Sequence, residues 1–281
     1  LGCFPLGERD VTDRFEIVQK LYGRDAEVKE LLRAFDRVAT VGTPELVLVS
    51  GYSGIGKSSL VRELHRPIAL QGGYFVSGKF DQYKRDIPYS TFAEAFGELI
   101  EQILAASDER MMLWRADIQE ALGAAGQLIV DIIPQLSLLI GAQPPLPQLS
   151  PIEAQNRFHM VFRQFIGVFA REQHPLALFL DDLQWLDSGS LKLLEDIITH
   201  PQTRHLLILG AYRDNEVGSS HPLMLMLDNV RKTEAVVREI VLAPLTASHL
   251  TQFIADVLRC APERVVSLAD LVHGKTAGNP F

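Results

Sequence analysis

The sequence predicts an α/β fold built on a mainly parallel sheet, and three observations carry that expectation. Short apolar runs alternate along the chain with segments of helical period. The runs "LVLVS", "LALFL" and "LLILGAY" are continuously apolar, as expected of strands covered on both faces. The stretch "LVLVSGYSGIGKSSLVREL" at 46–64 passes from such a run through a glycine-rich loop into a helical pattern.

Residues 1–20 are weakly patterned and read as a linker or N-terminal arm. A helix is expected over Ala26–Val38, from apolar residues at Val28, Leu31, Leu32, Phe35 and Val38. "GTP" at 42–44 is a turn. Strand one is Leu46–Ser50, and the helix after the loop is Lys57–Leu70. "YFVSGKF" at 74–80 is strand two. Residues 90–140 read as mostly helical, with "STFAEAFGELIEQIL" the clearest amphipathic piece. "GAQPPLPQLSP" at 141–151 breaks the pattern, and a helix at 152–171 follows. Strand three is 176–182, and Asp187 is an N-cap candidate for the next helix. Strands four and five are 205–213 and 235–242, and a helical pattern resumes at Thr246. Strands two and three are about 95 residues apart, far more than one crossover helix needs. The excess is a helical insertion at about 81–150.

The chain has 281 residues, is 47% hydrophobic and 22% charged, and carries a net charge of -8. No overall basic footprint points to nucleic acid. Its two cysteines, Cys3 and Cys260, have neither metal nor redox spacing. The best membrane candidate, "LIVDIIPQLSLLI" from Leu128, is too short to span and carries Asp131 and Pro134. No secretory signal is visible, so a cytoplasmic location is expected. The chain opens on Leu1 and stops at "AGNPF", and it reads as a fragment of a longer protein.

Gly51, Gly56, Lys57 and Ser58 fit G-x-x-x-x-G-K-[ST], a loop that wraps a phosphate chain. Glycines permit the torsions and the close approach. Backbone amides and the start of the helix favour an anion. Lys57 can reach the β- and γ-phosphates, and the Ser58 hydroxyl can hold Mg²⁺, a hard ion that prefers oxygen. "LALFLDDLQWLD" supplies the partner carboxylates. Asp181 emerges at a strand's C-terminal end as the metal acid, and Asp182 follows as the group that orients or deprotonates water. Asp187 reads as a cap and Trp185 as packing. Arg213, just past strand four, either stabilises charge on the γ-phosphate or pairs with Asp214 or Glu216; the residues alone leave both open.

Together, "LYGRDAEVKEL", "GYSGIGKSSL", "LFLDDLQWLD", "GAYRDNE" and "AGNPF" resemble the STAND class of P-loop ATPases and the related origin-recognition-like AAA ATPases. "GKFDQYKRDIPYSTFAEAF" is similar to the ATPase module of large bacterial multi-domain sensor kinases of the Ser/Thr and histidine types. The resemblance implies a P-loop NTPase three-layer sandwich with a parallel five-stranded sheet in the order 5-1-4-3-2. It divides the chain into an ATPase core at 21–245 and the start of a helical lid at 246–281. Tyr52, Ser53, Gly54, Ile55, Gly56, Lys57, Ser58 and Ser59 would bind nucleotide as the Walker A loop. Asp181 and Asp182 would be Walker B, and Arg213 a sensor of the γ-phosphate. Tyr22, Gly23 and Arg24 would lie at the adenine and ribose side, and Pro280 would touch the base. Many P-loop ATPases carry Glu where this chain has Asp182, one methylene shorter, and slow turnover fits that difference. The resemblance implies a winged-helix segment after such a lid, and the sequence stops at Phe281, ahead of the place expected for it.

The resulting expectation is an ATP/ADP-binding, Mg²⁺-dependent regulatory switch that hydrolyses ATP slowly inside a signalling kinase. Its partners would be ATP and the other domains of that kinase, with nucleotide-dependent oligomers and no nucleic acid. Two alternatives stay open: a module that keeps ADP or ATP without turnover, and a scaffold whose helical insertion binds a partner. The sequence shows neither the N-K-x-D pattern of guanine specificity nor the L-S-G-G-Q pattern of transporter subunits.

Overall fold

In a computed structural model, residues 20–280 are described. The expected arm at 1–20 lies, but for Lys20, outside the described residues, as do Cys3 and Phe281. The described chain separates into two compact units, residues 26–243 and the segments 20–25 with 244–280.

The larger unit holds five strands: β1 (Glu45–Ser50), β2 (Tyr74–Lys79), β3 (Leu176–Asp181), β4 (Leu206–Tyr212) and β5 (Val236–Val241). They form one sheet in the order β2-β3-β4-β1-β5, and every pairing is parallel. This is the expected 5-1-4-3-2 order viewed from the other edge. All residues of β1 and β4, and all but the last of β3, are buried. Strands without a wet face need helices on both sides, so the continuous apolar runs record a three-layer arrangement.

Helix α1 (Asp25–Val41) leads into β1, and α2 (Lys57–Arg62) and α3 (His65–Leu70) follow it. The single helix expected over Lys57–Leu70 is thus broken in two. Pro67 explains the break: it has no N–H to donate to the carbonyl of Glu63, four residues earlier, and its ring crowds that carbonyl. Between β2 and β3 lie α4 (Ser90–Leu104), α5 (Asp108–Leu122), α6 (Gln127–Val130), α7 (Leu136–Ile140) and α8 (Pro151–Phe169). The helical insertion is therefore real, and the proline-rich 141–150 runs between α7 and α8 without helix or strand. Helix α8 starts at a capping box, in which Ser150 and Glu153 satisfy each other's neighbouring backbone. Its Phe162, Phe165 and Phe169 pack with Phe92 and Phe96 of α4, with ring centroids 5.4–6.2 Å apart. This aromatic layer fixes the insertion to the core. Helices α9 (Ser188–Thr199) and α10 (Pro222–Val230) flank β4 in sequence. Asp187 caps α9 by accepting from the Ser190 amide at 2.8 Å, as its position predicts.

The smaller unit contains α11 (Ala247–Leu258) and α12 (Val266–Thr276) around a core of Leu245, Leu250, Ile254, Ala255, Val265 and Ala269. Among the described residues no helix is long and apolar enough to cross a membrane.

Candidate active site

Strand register assembles the site. Lys79 pairs with Asp181 across β2 and β3, and Ser50 pairs with Tyr212 across β1 and β4. Because the strands are parallel, the residues that leave their C-terminal ends all emerge at one edge, where open α/β sheets gather ligands. Lys79, Asp181, Asp182, Arg213 and the loop after Ser50 come together there from four strands.

The loop needs its glycines. Gly56 adopts φ 101°, a torsion that side chains rarely tolerate. A Cβ on Gly51 would stand 3.0 Å from the Leu242 carbonyl oxygen. Ile55 is buried beneath the loop, whereas Tyr52, Ser53 and Ser59 are exposed and Gly54 is half-buried. Lys57 opens α2, and Ser58 and Ser59 follow in the first turn, where backbone amides have no intrahelical partner.

Lys57 is buried, and its ammonium donates to the carbonyls of Gly51 at 2.7 Å and Tyr52 at 2.9 Å. Burial pushes its pKa down, and the nearby Asp181 and Asp182 oppose that shift. The Ser58 hydroxyl donates to Asp181 Oδ2 at 2.7 Å, joining residues 123 positions apart. Asp181 Oδ1 accepts the Asp182 amide at 2.9 Å. Ser58, Lys79 and Asp181 line a cavity of about 330 Å³, together with Arg62, His65 and Glu94. A hydroxyl and a carboxylate side by side are the hard oxygen donors that Mg²⁺ prefers. Among the described residues no group of three or more His, Cys, Asp and Glu forms an all-protein metal cage. Mg²⁺ at a phosphate site needs none, because phosphates and waters complete its shell.

Asp182 is buried and left-handed, at φ 54°. Lys79 Nζ lies 3.1 Å from its Oδ2, and Arg213 Nε lies 3.5 Å from its Oδ1. The Gln184 amide donates to Oδ1 at 2.8 Å. Arg213 also pairs with Glu216 at 2.7 Å and rests on the Trp185 ring, 5.0 Å from its centroid. The two readings open for Arg213 are thus both present, an acidic neighbour in sequence and a place at the strand edge. Sequence reasoning missed Lys79 and Gln184. The signal for Lys79 was its position at the end of an apolar strand, and for Gln184 its place two residues after Asp182.

The residues assigned to the base lie in the smaller unit. Tyr22 and Arg24 are buried there, and Pro280 is exposed. Tyr22 donates to Asp256 at 2.8 Å and packs edge-on against Phe253. Burial, reinforced by Asp256, pushes the Tyr22 hydroxyl up to about 12. The imidazole of His249 covers Gly23 so closely that a Cβ there would fall 2.3 Å from the ring.

The model for an AAA ATPase domain matches residues 20–209, about two thirds of the chain. The chain belongs to this family. An AAA ATPase domain binds nucleotide, and the parallel sheet is that of a P-loop NTPase. Hybrid signal transduction histidine kinase G of Dictyostelium discoideum is 28% identical over 99% of this chain and 10% of its own length. Histidine protein kinase 1 of Candida albicans is 27% identical over 55% of this chain and 7% of its own. The chain therefore spans a tenth or less of these relatives. The crystal structure of Cdc6p from Pyrobaculum aerophilum overlaps 91% of this chain and 56% of its own, at 13% identity and a TM-score of 0.49. The strand order, rather than this overlap, establishes the fold.

Proposed function

We propose that this AAA ATPase domain binds MgATP, hydrolyses it slowly, and serves as a nucleotide-dependent switch inside a larger cytoplasmic signalling kinase. The observation that carries the proposal is the Ser58–Asp181 hydrogen bond of 2.7 Å, which brings a P-loop hydroxyl and a strand-end carboxylate to one point. Ser58 and Asp181 would hold Mg²⁺. When bound, the ion neutralises charge on the phosphates. Lys57 exchanges its two loop carbonyls for phosphate oxygens, while the loop amides cradle the chain. Asp182 orients the attacking water, and Arg213 offers its guanidinium to the terminal phosphate. Tyr22, Gly23, Arg24 and Pro280 take the base side, a role that the family resemblance supports.

The family resemblance supports slow turnover over fast, because Asp182 is one methylene shorter than the glutamate that many P-loop ATPases carry at this place. The relatives' names support the kinase setting, and the other domains of such a kinase are the proposed partners. A switch needs a state that ATP favours over ADP, and the terminal phosphate is the group that differs.

Lys57→Ala tests the phosphate assignment. It removes the loop's only ammonium, and binding of a fluorescent ATP analogue with Mg²⁺ is expected to weaken about 100-fold or more, since charge-assisted phosphate contacts are the strong ones. Unchanged affinity would remove the loop from nucleotide binding.

A further inference from the structure

Gln184 uses both ends of its side-chain amide and its backbone carbonyl to tie separate segments to Asp182. It is 3% exposed. Its side-chain amide nitrogen donates to Asp182 Oδ1 at 2.8 Å. Its side-chain oxygen accepts the backbone N–H of Arg213 at 3.2 Å. Its backbone carbonyl accepts from Arg85 Nη2 at 2.9 Å and lies 3.2 Å from His221 Nε2, at the start of α10. Both ends of the amide are therefore fixed, and so is the peptide that carries it.

This matters because Asp182 cannot orient itself. A carboxylate has two soft torsions, and a group that aims a water must be held within hydrogen-bond reach in one orientation. Lys79 holds Oδ2 from a side chain that is 66% exposed, and Arg213 lies 3.5 Å from Oδ1. The Gln184 amide is the short, nearly buried contact on that oxygen. Its other end is anchored to the backbone of Arg213, the residue that follows β4. The loop between β2 and α4 reaches the same residue through Arg85.

We propose that Gln184 is a positioning residue for ATP hydrolysis: it sets the orientation of the Asp182 carboxylate and links it to Arg85 in the loop after β2. This rests on the reading of Asp182 as the water-orienting group. The glutamine touches neither phosphate nor metal in this scheme; it acts through Asp182. It follows that a change in the exposed loop around Arg85 alters turnover without altering the phosphate site.

The test compares wild type, Gln184→Met, Gln184→Glu, Arg85→Ala and Asp182→Asn. Each is measured for MgATP affinity, kcat and melting temperature. Gln184→Met keeps length and volume but removes donor and acceptor. Gln184→Glu keeps the acceptor for Arg213 and loses the donor to Asp182. Both Gln184 variants are expected to keep affinity within about twofold and lose about 10–100-fold in kcat, the scale of a misplaced catalytic group. Arg85→Ala, at an exposed side chain whose loss leaves the core intact, is expected to lose about three- to tenfold in kcat at unchanged affinity, because it loosens Gln184 without removing it. A folded Gln184 variant or Arg85→Ala with wild-type kcat overturns the inference. So does a loss of affinity that matches the loss of kcat. Wild type that binds MgATP but shows no turnover overturns the proposed function, and this inference falls with it. Turnover that depends on Asp182 but not on Gln184 overturns the inference alone.

Discussion

At Lys57 the cost of burying an ammonium is offset by two carbonyls of its own loop, so the group proposed to meet phosphate is held in place by the protein alone. The motif around it was legible from spacing, because glycine torsions, lysine and hydroxyl all act within nine residues of chain. Lys79 and Gln184 were not legible. Lys79 meets Asp182 only because β2 and β3 pair in register, and Gln184 only because a left-handed Asp182 turns the chain back. Arg213 stood between two readings, since pairing with Glu216 and facing Asp182 predict the same sequence. Its test is Arg213→Ala. Measured by competition, the ratio of ATP to ADP affinity is expected to fall about tenfold, the usual scale of one charge-assisted contact to the terminal phosphate. An untouched ratio makes Arg213 a surface partner of Glu216 and nothing more.

Single elements carry information that periodicity does not. Pro67 splits the helix after the loop, a break that an apolar pattern running on to Leu70 conceals. Strand β2 and helix α4 meet at Gly78, where a Cβ would stand 2.6 Å from the Thr91 carbonyl oxygen. Backbone cannot yield there as a flexible side chain could. Gly78→Ala is expected to destabilise the protein by about 1–3 kcal/mol through overpacking, read as a lower denaturation midpoint. Helix α8 buries His159, whose Nε2 has no hydrogen-bond partner among the described residues. Burial pushes its pKa down, with Asp196 opposing and Arg163 and Lys192 assisting. The unfolded chain therefore takes up this proton first as pH falls below about 6.5. Stability from the site is present above that pH and is lost as pH falls through the lower folded value. His159→Phe is expected to flatten the stability profile across that window. A profile that stays as steep as wild type assigns the acid loss to other groups.

Across the whole molecule, the parallel pairing followed from apolar runs alternating with helical segments, and the order of the sheet from the family resemblance alone. What needed three dimensions was the convergence of four strand ends on Asp181 and Asp182. The division into two units also needed three dimensions, since Tyr22 joins Asp256 across 234 positions of chain. The central claim is that this edge of the sheet hydrolyses ATP through Asp182, and the most direct measurement follows steady-state phosphate release from MgATP by wild type and by Asp182→Asn, with nucleotide affinity measured on both. The account predicts slow turnover in wild type, equal affinity in the variant, and turnover reduced about 100-fold or more when the water-orienting carboxylate is lost. Equal turnover in the two proteins, or wild type that holds MgATP indefinitely without releasing phosphate, would contradict it.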